Sequence, residues 1–583
     1  MRTHYPRTAH LPWSPGATSD DVRIADLSAL TGREVVVTEK LDGENTTLYA
    51  DGLHARSLDS AHHPSRGWVK ALQGRIATRI PAGWRVCGEN MFARHSIPYD
   101  RLEGYFYGFS VWDGERCLGW DRTVVFLRGL GIPAAPVLWR GVFDARAEKA
   151  LRTLKPDTGR QEGYVVRPVD GFGAPEFGRV VAKWVRPGHV RTSTHWMHAA
   201  VVENGLGPAA ALWAVRSGAR VDAAALAEAT GTTAGDAGAA GAAGAAGAAG
   251  AAGAAGAAGA AGAAGAAAAM GDGLDSLGRT GDDRLTGVLA ALLHRSRRTG
   301  LAPALAGALG MPLARRVADL VGLHPALHRP YPDEERRTGL VRLSFAADLP
   351  LLHALAAAVA ETDGAREQVE WSALHAADVR EPGGLREAFA DLEPAAADRC
   401  WAQAREAYAQ GRVATAEEAV AATWRWRTGK FPRLAHLVGP SGSGKSTFAR
   451  GLPGVDTYLS LDDLRLARGS RADQKANGEV LREGLGRLDA ALAAGGTVVW
   501  DATSLNAHQR SLVHAVARRR DALLTHAVAL VGEAELLRRN ERRTHPVPPE
   551  VLASQLHRFV PPYPGQAHRT WYIGASGTVE DRA

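Results

Sequence analysis

The rhythm of apolar and polar positions changes three times along the chain. Up to about residue 200, short runs rich in β-branched and aromatic residues are separated by Gly and Pro: Glu34 to Thr38, Trp84 to Cys87, Tyr105 to Trp112, Gly163 to Arg167 and Val180 to Val185. Runs of this kind bounded by turn formers predict strands, and their succession predicts an antiparallel α+β domain. From 271 to about 425, Ala, Leu, Arg and Glu dominate, and apolar residues recur at spacings of three and four, as in Leu289, Leu292 and Leu293. That spacing predicts helices. From Arg433 a strand-like run, Leu434 to Val438, enters a Gly-rich turn, and a second run, Thr497 to Trp500, ends in Asp501. This is the βαβ rhythm of a parallel sheet.

Between the first two regimes lies a Gly-Ala-Ala repeat from Gly238 to Ala269. A Gly in every triplet costs roughly 1 kcal/mol per Gly relative to Ala in a helix, so the repeat predicts a tether, with an Ala-driven helix as the alternative. It contains no proline, which excludes collagen, and a triplet is too short to be a packing unit of a solenoid. The expected organisation is multidomain: residues 1–200, a helical extension over 201–237, a linker over 238–269, an all-α domain over 270–428 and an α/β domain with a parallel sheet over 429–583.

Composition fits this picture. At 583 residues the chain exceeds a single hydrophobic core, and 45% apolar with 22% charged residues is the profile of a packed protein. The formal net charge of +7 favours encounters with phosphate-rich partners. Cys87, Cys117 and Cys400 are far apart and form no CxxC pair, so neither a disulfide framework nor a thiolate metal site is expected. Residues 1–13 lack the apolar stretch of a secretion signal, and the Ala-rich segments lack a span of about twenty apolar residues, so a cytoplasmic location without membrane contact is expected.

The candidate chemistry of the first domain centres on Glu39-Lys40-Leu41-Asp42-Gly43-Glu44-Asn45. A lysine amine can attack a phosphate only when it is unprotonated, so a nucleophilic Lys40 requires a lowered pKa. Downstream follow Arg56-Ser57, Cys87-Gly88-Glu89-Asn90, Tyr105 to Phe109, Glu162 to Arg167 and Val181 to Arg186. In this order the segments resemble motifs I, Ia, III, IIIa, IV and V of the covalent nucleotidyltransferases, and their detail is similar to RNA ligases rather than DNA ligases. That resemblance implies an α+β fold with ATP-grasp-like antiparallel sheets. It makes Lys40 the nucleophile that takes AMP from ATP, and places Asp42, Arg56, Glu89, Phe106, Phe109, Lys183 and Arg186 around the nucleotide. Glu89 would meet the ribose, Phe106 or Phe109 would stack on adenine, Glu162 would hold Mg2+ or Mn2+, and Lys183, Arg56 and Arg186 would neutralise the α-phosphate. Two departures concern specificity: Ser110 stands where many relatives carry an acidic residue, and Arg186 where a second lysine is common.

The last domain opens with Gly439-Pro-Ser-Gly442-Ser-Gly444-Lys445-Ser446-Thr447, a P-loop between a strand and a helix. Backbone N–H groups there cradle phosphates, Lys445 reaches the β and γ oxygens and Ser446 ligates Mg2+. Leu461-Asp462-Asp463-Leu464-Arg465 and the later Arg538-Arg539-Asn-Glu-Arg-Arg543 resemble the phage-type polynucleotide 5′-kinases. The resemblance implies Asp462 as general base, Arg465 and Asp501 at the acceptor, with Asn506 and Arg510 in the segment after Asp501, and Arg539 and Arg543 in a lid over the transferred phosphoryl group. A bland alternative for Asp462 is a helix N-cap.

In the all-α region, Leu289 to Arg295 resembles the helix that ends in His-Asp in HD phosphohydrolases, but Arg295 replaces the metal-binding Asp, so the hydrolase is expected to be inactive. His294, His324, His328 and His353 offer a different candidate metal site. The combined expectation is an RNA repair enzyme using ATP and Mg2+ (or Mn2+). Its substrate would be RNA with 5′-hydroxyl or 5′-phosphate and 3′-hydroxyl ends, and a separate enzyme would heal 3′ ends. DNA end repair and a non-catalytic RNA-end sensor are the alternatives.

Overall fold

The computed structural model of the protein describes residues 2–58, 62–154, 157, 159–188, 200–232, 249–331, 333–377, 379, 383–468 and 477–583. Two compact units form, one from Met1–Ala229 with Gly271–Val288, the other from Thr230–Met270 with Leu289–Ala583. Among the described residues no single helix is long and apolar enough to cross a membrane.

The first unit contains β1 (Ala9–His10), β2 (Glu34–Lys40), β3 (Glu44–Tyr49), β4 (Gly52–Ala55), β5 (Trp84–Asn90), β6 (Phe106–Asp113), β7 (Arg116–Cys117), β8 (Val137–Val142), β9 (Gly163–Pro168), β10 (Phe172–Gly173) and β11 (Ala182–Val185). Each predicted strand run is recovered within a few residues, although Val180 ends a short helix, Phe177–Val180, before β11. One sheet has the order β1-β11-β9-β2-β8, the other β10-β7-β6-β5-β3-β4. Pairing is antiparallel as expected, apart from the short parallel edge of β1 on β11. Val35 and Val37 of β2, Tyr164 and Val166 of β9, Cys87 of β5 and Trp112 of β6 share one buried cluster, so the two sheets meet face to face. A second cluster, with Leu48, Val86, Phe106 and Val111, packs against Val69, Leu72 and Leu127 from the helices Gly67–Ile76 and Trp120–Leu130. The returning segment is clamped by charge: Asp282 accepts from Arg216 at 2.7 Å and Arg128 at 2.5 Å, and buried Arg284 holds Asp275 at 2.8 Å and the Val215 carbonyl at 2.7 Å.

The Gly-Ala-Ala repeat departs from the tether expectation. Residues 238–248 of it lie outside the described residues, but Ala249–Ser276 is one α-helix. Two residues in each triplet are Ala, the best helix former, and Ala263, Ala267, Met270 and Leu274 form a buried stripe at helical spacing. Burial along that stripe offsets the backbone entropy lost at each Gly.

In the second unit a six-stranded sheet has the order β13-β14-β12-β15-β16-β17, from β12 (Arg433–Val438), β13 (Thr457–Ser460), β14 (Thr497–Asp501), β15 (Leu523–Ala529), β16 (Arg569–Ile573) and β17 (Val579–Arg582). All neighbours are parallel except β16 and β17. The preceding region is helical, including Arg298–Leu309, Met311–Leu327, Leu349–Ala358 and Pro394–Ala409. It shares a core with the sheet domain, since Leu523 packs with Val341, Phe389 and Cys400. A buried ionic cluster ties the same parts together. Asp319, 1% exposed, takes Arg298 at 2.6 Å and Arg315 at 2.8 Å, and Arg315 also holds Asp581 of β17 at 2.5 Å. Arg298 lies 3.5 Å over the Tyr563 ring.

Removing one member of a buried ion cluster strands the remaining charges, so Asp319→Ala should cost about 3–5 kcal/mol of stability in urea unfolding. Glu406→Ala, which removes the half-exposed partner of Arg342, should cost less than about 1 kcal/mol. Equal losses in the two variants would contradict this account of the junction.

Candidate active sites

Strand register builds the first site. Lys40, the last residue of β2, is the register partner of Gly163 at the start of β9, and this sets the adjacent Glu162 beside it. Lys40 Nζ donates to Glu162 Oε2 at 2.5 Å, with a quarter of the lysine side chain exposed and Glu162 almost fully buried. Lys183 enters from β11, the other neighbour of β9, and Glu89 from β5 of the second sheet. The Asp42-Gly43 turn crosses over β5 at close range: a Cβ on Gly43 would lie 2.6 Å from the Asn90 carbonyl oxygen and 2.7 Å from Met91 Sδ. Only glycine lets that turn pass, and the Gly43 N–H serves Glu89.

The charges act on one another. Burial pushes the Glu89 carboxyl up to about 8, with Glu162 and Asp42 adding to the rise and Lys40 opposing it. Burial alone would lower the Lys40 ammonium, but Glu162, Glu89 and Asp42 outweigh it and hold the pKa above the ordinary lysine value. This reverses the expectation of a lowered pKa: the carboxylates around Lys40 favour its protonated form. Lys183 is shifted the other way, by burial first and then by Lys40, with Arg56 contributing. Arg56 itself is exposed.

The second site forms around the P-loop between β12 and the helix Lys445–Arg450. Gly439, Gly442 and Gly444 have φ of 150°, 81° and 86°, conformations open to glycine and strained for other residues. Lys445 is buried with Nζ 3.4 Å from the Pro440 carbonyl, and burial lowers its pKa against the pull of Asp501 and Asp462, with Arg543 adding to the fall. The loop, Asp462, Asp501 and Arg543 thus face one lysine. Asp501, at the end of β14, accepts a short hydrogen bond from the Tyr458 hydroxyl, and Tyr458 also lies within reach of Ser446. Ser460 caps the helix Leu461–Ala467 by accepting from the Asp463 N–H, so the cap is not Asp462. Asp462 is exposed and paired with Arg465 at 2.5 Å. Arg539 reaches the Ser443 carbonyl at 3.5 Å and the Ala575 carbonyl at 2.6 Å, while Asn540 holds the following loop by two hydrogen bonds to Val547. Thr447 in the first helical turn and Arg543 are exposed.

Residues 33–185 match the family model for RNA ligases, and residues 434–562 match the model of an AAA domain. The chain carries an RNA ligase domain followed by a kinase-like P-loop domain. No match is found among curated proteins. Solved structures similar to it include the Pnkp1/Rnl/Hen1 RNA repair complex (23% identity, 22% of this chain and 44% of that chain, TM-score 0.21). Also similar are a Naegleria gruberi RNA ligase variant with ATP and Mn (18% identity, 31% and 59%, TM-score 0.21) and the Mycobacterium tuberculosis APS kinase CysC with AMPPNP and APS (21% identity, 19% and 70%, TM-score 0.17). The chain thus spans 44% and 59% of the first two.

Within the RNA ligase domain the structure gathers Lys40, Glu89, Glu162 and Lys183 and reassigns three other residues. Asp42 is occupied structurally, since one carboxylate oxygen accepts the Ser96 and Ile97 N–H groups at 2.8 and 3.0 Å. Arg186 is 1% exposed, so its guanidinium is withdrawn from the surface that a nucleotide could reach, and its backbone N–H holds the Glu162 carbonyl at 3.0 Å. Phe106 is fully buried in the cluster beneath the helix Gly67–Ile76 and has no face for adenine. Phe109 is only partly buried; it meets Tyr5 edge-on at 5.2 Å, and the Arg167 guanidinium sits 5.7 Å over its ring. In the P-loop domain Asn506 caps the helix Ala507–Arg519, and buried Arg510 donates to the Ser504 and Val560 carbonyls, so both are structural.

Sequence reading missed Arg66, which forks onto buried Glu44 at 2.5 and 2.8 Å, and Tyr458. Tyr458 had one available signal, its place on a strand just before the Asp462 helix. In the helical region, His294, His328 and His353 direct ring nitrogens to the Ala291, Ala356 and Leu349 carbonyls. His324 lies edge-on to both His294 and His328, with ring centroids 6.4 and 5.5 Å apart, so three of the four histidines are neighbours, but among the described residues the group with ligand atoms all within 4.8 Å of one another lies elsewhere.

If Phe106 is core, Phe106→Ala should lose about 3–5 kcal/mol of stability with no ligand present, read by denaturant unfolding. A loss under about 1 kcal/mol would return the ring to the candidate binding surface.

Proposed function

We propose that the protein is an RNA repair enzyme that phosphorylates 5′-hydroxyl ends with ATP and seals the resulting 5′-phosphates to 3′-hydroxyls through a lysyl-AMP intermediate. The observation that carries the reading is the meeting of Lys40, Glu89, Glu162 and Lys183, from four separated segments, around one partly exposed amine. In the first step the Lys40 amine attacks the α-phosphorus of ATP. A P–N bond forms, the P–O bond to pyrophosphate breaks, and the amine proton passes to solvent. The Lys183 ammonium is suited to balance charge growing on the α-phosphate, and Phe109, backed by Tyr5, offers the aromatic face for adenine. AMP then passes to an RNA 5′-phosphate and is displaced by a 3′-hydroxyl.

The carboxyls of Glu162 and Glu89, the latter pushed up to about 8 chiefly by burial, would suit a divalent cation. Mg2+ or Mn2+ bound there would draw carboxylate charge away from Lys40 and polarise the phosphate. Without it, the residues of the chain hold the ammonium in place and screen it from most of the solvent.

In the P-loop domain Lys445 and the loop amides would bind the phosphates, with Ser446 as the cation ligand. Asp462 would take the proton of the 5′-hydroxyl as its oxygen bonds to the γ-phosphorus and ADP leaves. Arg465, now paired with Asp462, is poised to exchange that carboxylate for an acceptor phosphate, and Arg539 and Arg543 border the transferred group. A separate enzyme would heal 3′ ends.

Lys40→Ala should abolish the covalent adduct formed with α-labelled ATP and all sealing, while leaving 5′ phosphorylation. Asp462→Ala should do the reverse, lowering phosphorylation by at least about a hundredfold. Phe109→Ala should raise the ATP concentration needed for adduct formation about tenfold. Absence of any adduct in the wild-type chain would favour the non-catalytic sensor, and faster sealing of nicked DNA than of nicked RNA would favour DNA repair.

A further inference from the structure

Outside both sites, the sheet of the second unit encloses three histidines that neither reaction uses. His436 of β12 and His526 of β15 are direct register partners on neighbouring parallel strands and so project from the same face of the sheet. The helix Ala507–Arg519 crosses that face and adds His514. His436 and His526 are fully buried and His514 is half-buried. The His514 and His526 Nε2 atoms are 2.8 Å apart, the His436 Nε2 is 2.8 Å from Ser504 Oγ, and one ligand nitrogen from each ring lies within 4.8 Å of the others.

Three further observations distinguish this cluster from packed core histidines. The Nδ1 atoms of both His436 and His526 are buried without a hydrogen-bond partner, so the rings are incompletely satisfied by protein. Ser504, which brings the hydroxyl to His436, has φ of 48°, a left-handed conformation that a Ser side chain adopts at a cost. Burial in the first place, with Arg510 contributing, lowers the pKa of all three rings, to about 4 for His514.

The geometry points to a structural Zn2+ site formed by His436, His514 and His526, with Ser504 Oγ as the fourth donor. Neutral imidazoles are favoured zinc ligands, and three of them with one oxygen complete a tetrahedron. Zinc–nitrogen bonds of about 2.0–2.1 Å require ligand nitrogens about 3.3 Å apart, so the His514 and His526 nitrogens, 2.8 Å apart, would separate slightly around a cation, with the third ligand atom drawn from within 4.8 Å. Bound zinc would replace the contact between two imidazole nitrogens and tie β12, β15 and the helix together directly behind the strand that feeds the P-loop. The cations facing the cluster are Arg510 and, beside His514, Arg518, with His568 near His526. Arg510 is anchored on the Ser504 and Val560 carbonyls at 3.2 and 3.0 Å. Its charge sets the affinity below that of an isolated three-histidine site and leaves the donor set intact.

The test uses the full-length chain, stripped with chelator and titrated with Zn2+, or with Co2+ as a spectroscopic probe. The wild type should bind one more Zn2+ per chain than His514→Gln, show the intense visible bands of four-coordinate Co2+, and gain a zinc-dependent rise in thermal midpoint that His514→Gln lacks. Ser504→Ala removes one donor and no imidazole, so it serves even where His514→Gln fails to fold; it should weaken Zn2+ binding at least about tenfold. Equal stoichiometry and equal thermal shift in wild type and His514→Gln, or unchanged affinity in Ser504→Ala, would overturn the assignment. Both readouts are independent of ligase and kinase activity.

Discussion

The antiparallel register of β2 against β9 is the constraint on which the ligase site depends. It sets Lys40 opposite Gly163 and so fixes Glu162 within ion-pair distance of a residue 122 positions away. A slip of one residue would turn every side chain of β2 to the other face, moving Val35 and Val37 out of the inter-sheet core and replacing them with Val36, buried on the opposite face against Trp120 and Val169, and the polar Thr38. The inter-sheet core therefore protects the register, and the register protects the site. Gly163 belongs to the same arrangement: a Cβ there would collide with the Trp184 carbonyl of β11, the strand that delivers Lys183. Packing, register and site geometry are one set of contacts.

How far this could be read in the sequence depends on whether the information was local. Strands, the P-loop turn and the ordered motifs are local patterns of residue type and spacing, and the segments that hold them are those matched by the RNA ligase and AAA-domain models. The choice between Phe106 and Phe109 was not local. Both lie on β6, but the bulge where Cys87 and Gly88 pair with that strand changes the alternation, and only the packing partners reveal that Phe106 lies under a helix. Asp42 illustrates the same limit. Its carboxylate is committed to the Ser96 and Ile97 amides, more than fifty residues away, which no motif spacing can express.

The Gly-Ala-Ala helix shows how a correct propensity argument can be outweighed. Counting Gly alone predicts a tether, because each Gly lowers helix stability relative to Ala. The periodicity of the repeat also allows a stripe from Ala263 through Leu274 to be buried, and tertiary burial sets helical stability more strongly than intrinsic preference. The histidine cluster is the complementary case. His436 and His526 are 90 residues apart, with no sequence pattern to link them, and meet only because β12 and β15 are neighbours in a parallel sheet whose order differs from chain order.

The two candidate sites shift their lysines in opposite directions, and the difference bears on the chemistry proposed for each. The proposed phosphate-binding role calls for a cationic Lys445, whereas burial lowers its pKa, a fall that phosphate charge would oppose. The proposed attack on phosphorus calls for a neutral Lys40 amine, whereas Glu162, Glu89 and Asp42 outweigh burial and hold its pKa up. An unprotonated, exposed amine would be open to other electrophiles, and in the proposed reaction the carboxylates around Lys40 guard against this. Under the proposed reaction the Lys40–Glu162 ion pair is a resting state, one that the surrounding carboxylates maintain.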